Sequence, residues 1–152
     1  MSSNLMQGKR GLIMGLANDK SIAWGIAKSC ADAGAELAFS YQGDALKKRV
    51  DPLAASLGSD IVLPCDVADM DSVDALFASL KEKWGKLDFI VHAIGFSDKN
   101  ELRGRYVDTS RENFLNSMDI SVYSFTAIVN RAEKMMSAGG SCLTLTYYGA
   151  ER

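Results

Sequence analysis

The residues best placed to do chemistry stand where short apolar runs end. The first is Gly15, which closes the run Arg10-Gly-Leu-Ile-Met-Gly15 and precedes Leu16-Ala-Asn-Asp-Lys-Ser21. A residue without Cβ lets backbone approach a pyrophosphate, and a helix starting near Ser21 offers unpaired N–H groups and partial positive charge to an anion. The same residues also make an ordinary strand-turn-helix, and the spacing G-x-G-x-x-G is missing because Ser21 and Ala23 stand where glycines would. A second run ends at Tyr41-Gln42. Gln42 can hydrogen-bond a sugar or base edge, or serve as a solvated turn residue; no arginine sits beside it to neutralise a ribose 2′-phosphate. After the third run stands Asp66-Val67, where a carboxylate can accept from an amino group of a base while the Val67 backbone completes the edge, or simply cap a turn. The fourth leads into His92-Ala-Ile94-Gly95, and Gly95 either lets backbone lie flat against a ligand or is a plain strand-to-loop glycine. His92 is the only histidine, with no nucleophile, carboxylate pair or second metal ligand near it, so a structural role is expected.

These positions need elements that bring them together. Apolar period switches between short runs and helical spacing, the signal for strands and helices alternating around a parallel sheet. The runs from Arg10, Ala35-Glu-Leu-Ala-Phe-Ser-Tyr41, Ile61-Val-Leu-Pro-Cys65, Leu87 to Ala93 and Ser141 to Tyr147 predict five strands. Between them, Ile22, Ala23, Ile26, Ala27 and Cys30 share one face of a first helix that stops at Gly34. Asp44 caps a second, with Leu46, Val50, Leu53 and Leu57 on its apolar side and Pro52 expected to kink or split it. Val73, Leu76, Phe77, Leu80 and Trp84 mark a third, ending at Gly85. Phe96 to Ser110 is polar and without period, one long loop. Beyond it Phe114, Met118, Val122, Phe125, Val129, Ala132 and Met136 form a stripe of roughly seven turns, read as core or subunit interface. In such a doubly wound sheet ligands bind outside the carboxyl ends of the strands, where the chemistry-bearing residues lie.

Composition narrows the function classes. With 17 Lys and Arg against 19 Asp and Glu the formal charge is −2, which argues against nucleic acid or a polybasic membrane anchor as partners. No apolar run approaches the ~20 residues of a membrane span, and the first ten residues lack the apolar centre of a secretory signal. Cys30, Cys65 and Cys142 have no C-x-x-C pairing and read as buried thiols in a reducing compartment, the cytoplasm, with no metal site.

Taken jointly, the strand ends carry a resemblance. The turn Gly15 to Gly25, Tyr41-Gln42, Cys65-Asp66-Val67, Asp88-Phe-Ile-Val-His92-Ala-Ile94-Gly95-Phe96 and Leu145-Thr-Tyr147-Tyr-Gly149-Ala-Glu-Arg152 resemble the bacterial NADH-dependent enoyl-acyl carrier protein reductases, a divergent branch of the short-chain dehydrogenase/reductases. The resemblance implies a Rossmann-type doubly wound α/β sheet, here the first five strands of an expected seven. It implies NADH/NAD+ as cofactor, an enoyl thioester on acyl carrier protein as substrate, and a homotetramer assembled through the long helices. Carried over by position, Gly15, Ser21 and Ile22 match the pyrophosphate turn, Gln42 the adenosine end, Asp66 and Val67 the adenine contact, and Ile94 and Gly95 the nicotinamide side. Ser97 stands where the substrate loop begins, and Tyr147 matches the first of two active-site tyrosines, so that both contact substrate and Tyr147 is the catalytic candidate.

The family's second tyrosine and its lysine have no counterpart before Arg152. Residues 1–152 are therefore expected to be the amino-terminal portion of one dinucleotide-binding domain, whose remaining catalytic groups follow. Two other readings compete: a nucleotide-binding module without catalysis, and an inert fragment that dimerises through its long helix.

Overall fold

The chain runs β1 (Arg10–Met14), α1 (Ile22–Asp32), β2 (Glu36–Tyr41), α2 (Asp44–Ser56), β3 (Val62–Pro64), α3 (Met70–Trp84), β4 (Phe89–His92), α4 (Arg111–Met118), α5 (Ser124–Ala132) and β5 (Ser141–Thr144). This is a computed structural model, and it describes residues 4–151. Arg152, the last residue of the matching segment, and the first three residues read for a leader lie outside the described residues.

All five strands are parallel, in the order β3-β2-β1-β4-β5. The order reverses between β1 and β4, so successive crossovers fall on opposite faces. Side-chain alternation along each strand feeds both: Ile13, Phe39 and Val91 pack with Trp24, Ala27, Val50 and Ala54 of α1 and α2. Leu12, Met14, Ala38 and Ile90 pack with Leu76, Phe77 and Leu80 of α3 and Ile128 and Ala132 of α5. The expected doubly wound α/β architecture is what forms.

Local chemistry sets the ends of α3. The Asp69 carboxylate accepts from the Asp71 N–H at 3.0 Å, and Gly85 closes the helix at φ 69°, a left-handed conformation that glycine adopts without a Cβ penalty.

Several expectations need correcting. Gly43, rather than Asp44, is the residue preceding α2, with Asp44 as its first helical position. Pro52 does not split α2; the helix runs through it, because the proline and Lys48, whose carbonyl loses its partner, both lie on the wet side. On α1, Ile22 is exposed and Trp24 takes the buried place expected of it. The long helix is not uniform: α4 and α5 are joined by a wide π-helical turn at Asp119–Tyr123 and followed by a 3-10 turn at Glu133–Met135. Its core side carries Ser124, Ala127, Ile128 and Ala132, so of the expected stripe Ala132 is buried, while Phe114, Met118 and Val122 face solvent. The strands are shorter than the apolar runs, β5 stopping at Thr144. Within residues 4–151 β5 is exposed along its length and Cys142 with it, whereas Cys30 is half-buried and Cys65 fully buried.

At the amino end of β4, Asp88 ties three segments together. Its carboxylate accepts the Arg10 N–H at 2.9 Å, with Lys9 Nζ at 3.5 Å and Lys86 Nζ at 3.7 Å. Burial works against the charge, but the Arg10 hydrogen bond and the two lysines outweigh it and hold the carboxyl below its ordinary range. A depressed folded pKa contributes stability above the unfolded value, about 4, that is lost as pH falls through the folded one. Asp88→Asn should cost about 1–2 kcal/mol at neutral pH. Urea midpoints measured down into the acid range should fall less steeply for the variant than for the parent.

Candidate functional site

A cleft of about 340 Å³ opens at the carboxyl ends of the strands, across the β1–β4 boundary where the strand order reverses. Gly15, Gln42, Asp66, Val67, Ile94 and Gly95 line it, joined by Leu16, Ser40, Cys65, Phe96, Asn116 and Ile120. Ser21, Ile22, Ser97 and Tyr147 do not.

On the β1–β3 side the geometry comes from strand adjacency. Because β2 and β3 are neighbours, Gln42 and Asp66 meet across their ends, Gln42 Nε2 donating to Asp66 Oδ2 at 3.1 Å. The other oxygen of Asp66 accepts from the Ala68 N–H at 3.0 Å, and the Asp66 N–H donates to Ser72 Oγ at 2.9 Å. Asp66 thus caps a turn and orients Gln42 together. Cys65 beside it is an apolar wall: burial first, and the charges of Asp66 and Asp69 after it, push its thiol up to about 12.

Ser21 works one layer behind the cleft. Its Oγ accepts from the N–H groups of Ala17 and Asn18 at 3.2 and 3.0 Å, fixing the curl of the turn, and no side chain caps the start of α1. Ile22 is the first residue of that helix. Gly15 has φ 89°, and a Cβ there would overlap the backbone carbonyl of Ala93. The missing side chain is thus already required by the approach of the β1 end to the β4 end.

On the β4 side Gly95 is different: the nearest atom to a Cβ built on it is Ser121 Oγ, at 4.0 Å, ordinary contact distance. Protein packing does not demand glycine here. Gly95→Ala should therefore leave the unfolding free energy from urea titration within about 0.5 kcal/mol of the parent. A ligand held against this wall should lose at least about tenfold in affinity, measurable by titration.

Beneath that wall His92 is fully buried at the end of β4. Its Nε2 lies 2.7 Å from Ser124 Oγ and its Nδ1 3.2 Å from Thr144 Oγ1, with the Phe125 ring centroid at 5.4 Å. Ser124 Oγ already donates to the Ile120 carbonyl at 2.6 Å, so it accepts from a protonated Nε2 and leaves Nδ1 to accept from Thr144. This is the structural histidine that the sequence suggests. Ser97 shares hydrogen bonds with Asn113, whose amide nitrogen lies 3.1 Å from the serine Oγ, and Asn113 Oδ1 takes the Asp98 N–H at 2.9 Å. Tyr147, beyond the end of β5, is 85% exposed. Among the described residues no group of three or more His, Cys, Asp or Glu could hold a metal ion. No helix among them is long and apolar enough to cross a membrane.

The strand-end reading missed Ile120, Ser121 and Asn116, because all three sit in the middle of what reads as a regular amphipathic helix. Ile120 and Ser121 lie within the wide turn at Asp119–Tyr123, which turns them toward the strand ends, while Asn116 reaches the cleft from the regular helix α4.

A family model described as Enoyl-(Acyl carrier protein) reductase matches residues 15–152. The chain belongs to this family. An NADH enoyl-acyl carrier protein reductase of Rhizobium meliloti is 66% identical over 151 residues, covering 99% of this chain and 56% of the relative. Among solved structures, the enoyl-acyl carrier protein reductase of Anaplasma phagocytophilum in complex with NAD is similar with TM-score 0.95 and 62% identity, covering 99% of this chain and 57% of that one. The Bacillus cereus enoyl-acyl carrier protein reductase with NADP+ and an indole naphthyridinone matches with TM-score 0.94 and 45% identity, covering 97% and 58%. The chain spans a little over half the length of the enoyl reductases it matches. Within the family's architecture, its five strands bring Gly15, Gln42, Asp66 and Gly95 to one cleft.

Proposed function

We propose that residues 1–152 are the amino-terminal portion of a single dinucleotide-binding domain that reduces trans-2-enoyl thioesters on acyl carrier protein with NADH, the last step of each fatty-acid elongation cycle. The observation that carries the reading is the cleft itself: it crosses the sheet at the reversal of strand order, with a hydrogen-bonding pair at one end and an open glycine wall at the other.

The residues fit an extended dinucleotide. At the β2–β3 end, Gln42 and Asp66 hold the adenosine, with Val67 backbone along the base edge. The pyrophosphate is assigned to the turn that begins at Gly15 in the cleft and leads through Ser21 to Ile22 at the uncapped start of α1, although Ser21 and Ile22 stand behind the cleft lining. Ile94 and Gly95 form the wall for the nicotinamide. The cation next to this region, Lys47, is engaged with Asp51 at 2.7 Å, and no arginine flanks Gln42, which supports NADH over NADPH. When bound, the cofactor supplies hydride to the β-carbon of the enoyl group.

Charge then develops on the thioester oxygen, where a tyrosine hydroxyl lowers the barrier by donating a hydrogen bond. Tyr147, exposed beyond the end of β5 and outside the cleft lining, is our candidate for the first of two such tyrosines, with Ser97 starting the loop that covers the substrate; a second tyrosine and a lysine are expected beyond Arg152. The solvent-facing stripe of Phe114, Met118 and Val122 supports assembly into a homotetramer through the long helices. Composition favours a cytoplasmic protein, with neither nucleic acid nor membrane as partner.

Titration of the full-length protein with NADH and NADPH by fluorescence, followed by turnover of a crotonyl thioester, tests the proposal. Saturable binding that prefers NADH, with oxidation on adding thioester, is the expected result. Binding without turnover would instead leave a nucleotide-binding module, and no binding of either would overturn both.

A further inference from the structure

The loop that forms the Gly95 wall leaves the sheet at Ala93, whose N–H donates to the Met14 carbonyl at 3.1 Å, and is held again at Asp98 by Asn113. Between those anchors one side chain grips the backbone. Ser121 Oγ accepts the Phe96 N–H at 2.9 Å and donates to the Phe96 carbonyl at 3.1 Å. Both polar groups of a single peptide residue are thus satisfied by one hydroxyl, which fixes the wall in position and in rotation.

Ser121 reaches Phe96 because it rides on the π-turn at Asp119–Tyr123. The same turn sends the Ile120 side chain into the cleft, and the Ile120 carbonyl accepts Ser124 Oγ, the partner of buried His92. The turn is thereby locked to the end of β4 from below while Ser121 holds the loop from above. An α-helical turn would rotate these side chains off the strand ends, and wide turns of this kind occur often at functional sites.

We infer that Ser121 is a positioning residue that holds the Gly95–Phe96 backbone as the wall against which the nicotinamide half of the dinucleotide lies. The inference rests on the dinucleotide reading given above. Phe96 is about half exposed, so water replaces the serine hydroxyl when it is removed. The fold loses little, whereas the wall loses its fixed place. The effect is confined to one half of the ligand, because Gln42 and Asp66 take no part in this contact.

The test compares NADH with ADP, which occupies only the β1–β3 end, in the full-length protein and in its Ser121→Ala and Ser121→Thr variants. For Ser121→Ala the dissociation constant for NADH should rise about fivefold to tenfold while that for ADP stays within about twofold. Threonine keeps the hydroxyl and should stay within about twofold for both ligands. Unchanged NADH affinity in the alanine variant, parallel loss of NADH and ADP, or a threonine variant as weak as alanine would each overturn the role of Ser121. A parent protein that binds neither ligand overturns the dinucleotide reading instead, and this inference falls with it.

Discussion

Gly15→Ala should be the most damaging single methyl in the molecule, costing more than about 3 kcal/mol. Two penalties coincide at this position. The backbone φ of 89° is one that L-residues avoid, and the added Cβ would overlap the carbonyl of Ala93. A flexible side chain could swing away, but this neighbour is backbone, held by the Ala93 N–H bond to the Met14 carbonyl and by the pairing of Met14 with His92. Relief requires pulling the end of β1 from β4, at the centre of the sheet. Gly43→Ala separates the two penalties: its φ is 75°, yet nothing lies within 4 Å of its Cβ position. That variant should cost about 1–3 kcal/mol, from the backbone penalty alone. Urea unfolding of both decides the matter, since equal losses would mean that the clash contributes nothing.

Replacing His92 should come second, at about 2–4 kcal/mol for His92→Leu. The imidazole is fully buried and joins β4, α5 and β5 through Ser124 and Thr144. Leucine fills most of the volume but returns neither hydrogen bond, so the Thr144 hydroxyl loses its acceptor. His92→Asn, which keeps polar atoms, should recover part of the loss. The pH dependence supplies a separate readout. Burial pushes the His92 pKa below its ordinary value, with a hydrogen bond involving its own backbone acting weakly the other way. Its unfolded pKa is about 6.5, so as pH falls below that value the unfolded chain takes up a proton that the folded one refuses. Stability is full above about 6.5 and declines as pH drops toward the folded pKa. Urea midpoints between about pH 5 and pH 7.5 should show this slope in the parent and not in His92→Leu; a slope that persists would assign it to other groups.

The legible part of the fold was the part governed by local rules. Helix α3 carries its apolar stripe, Val73 to Trp84, and its terminating Gly85 in one continuous segment. The strand runs were legible for a related reason: strands buried on both faces read as unbroken apolar stretches, as Leu12, Ile13 and Met14 do. The long helix misled because periodicity reports which side of a helix is apolar, not which side is covered. Phe114, Met118 and Val122 face solvent, while the sheet takes the side with Ala127, Ile128 and Ala132, only the last of which belongs to the expected stripe. Pro52 misled because a proline costs little where the carbonyl it orphans faces water.

The amino-acid sequence by itself determined the alternation of strands and helices, and hence that Gly15, Gln42, Asp66 and Gly95 stand at strand ends, because periodicity and turn chemistry are local. It did not determine which strand ends are neighbours. Gln42 meets Asp66, 24 residues away, only because β2 and β3 lie side by side. Gly15 is bound to its type by Ala93 only because β4 inserts beside β1 rather than after β3. Ser121 holds Phe96 only because one wide helical turn changes its angular position. These are non-local contacts, decided when the packing of whole elements selects one strand order, and they turn residues at strand ends into a site.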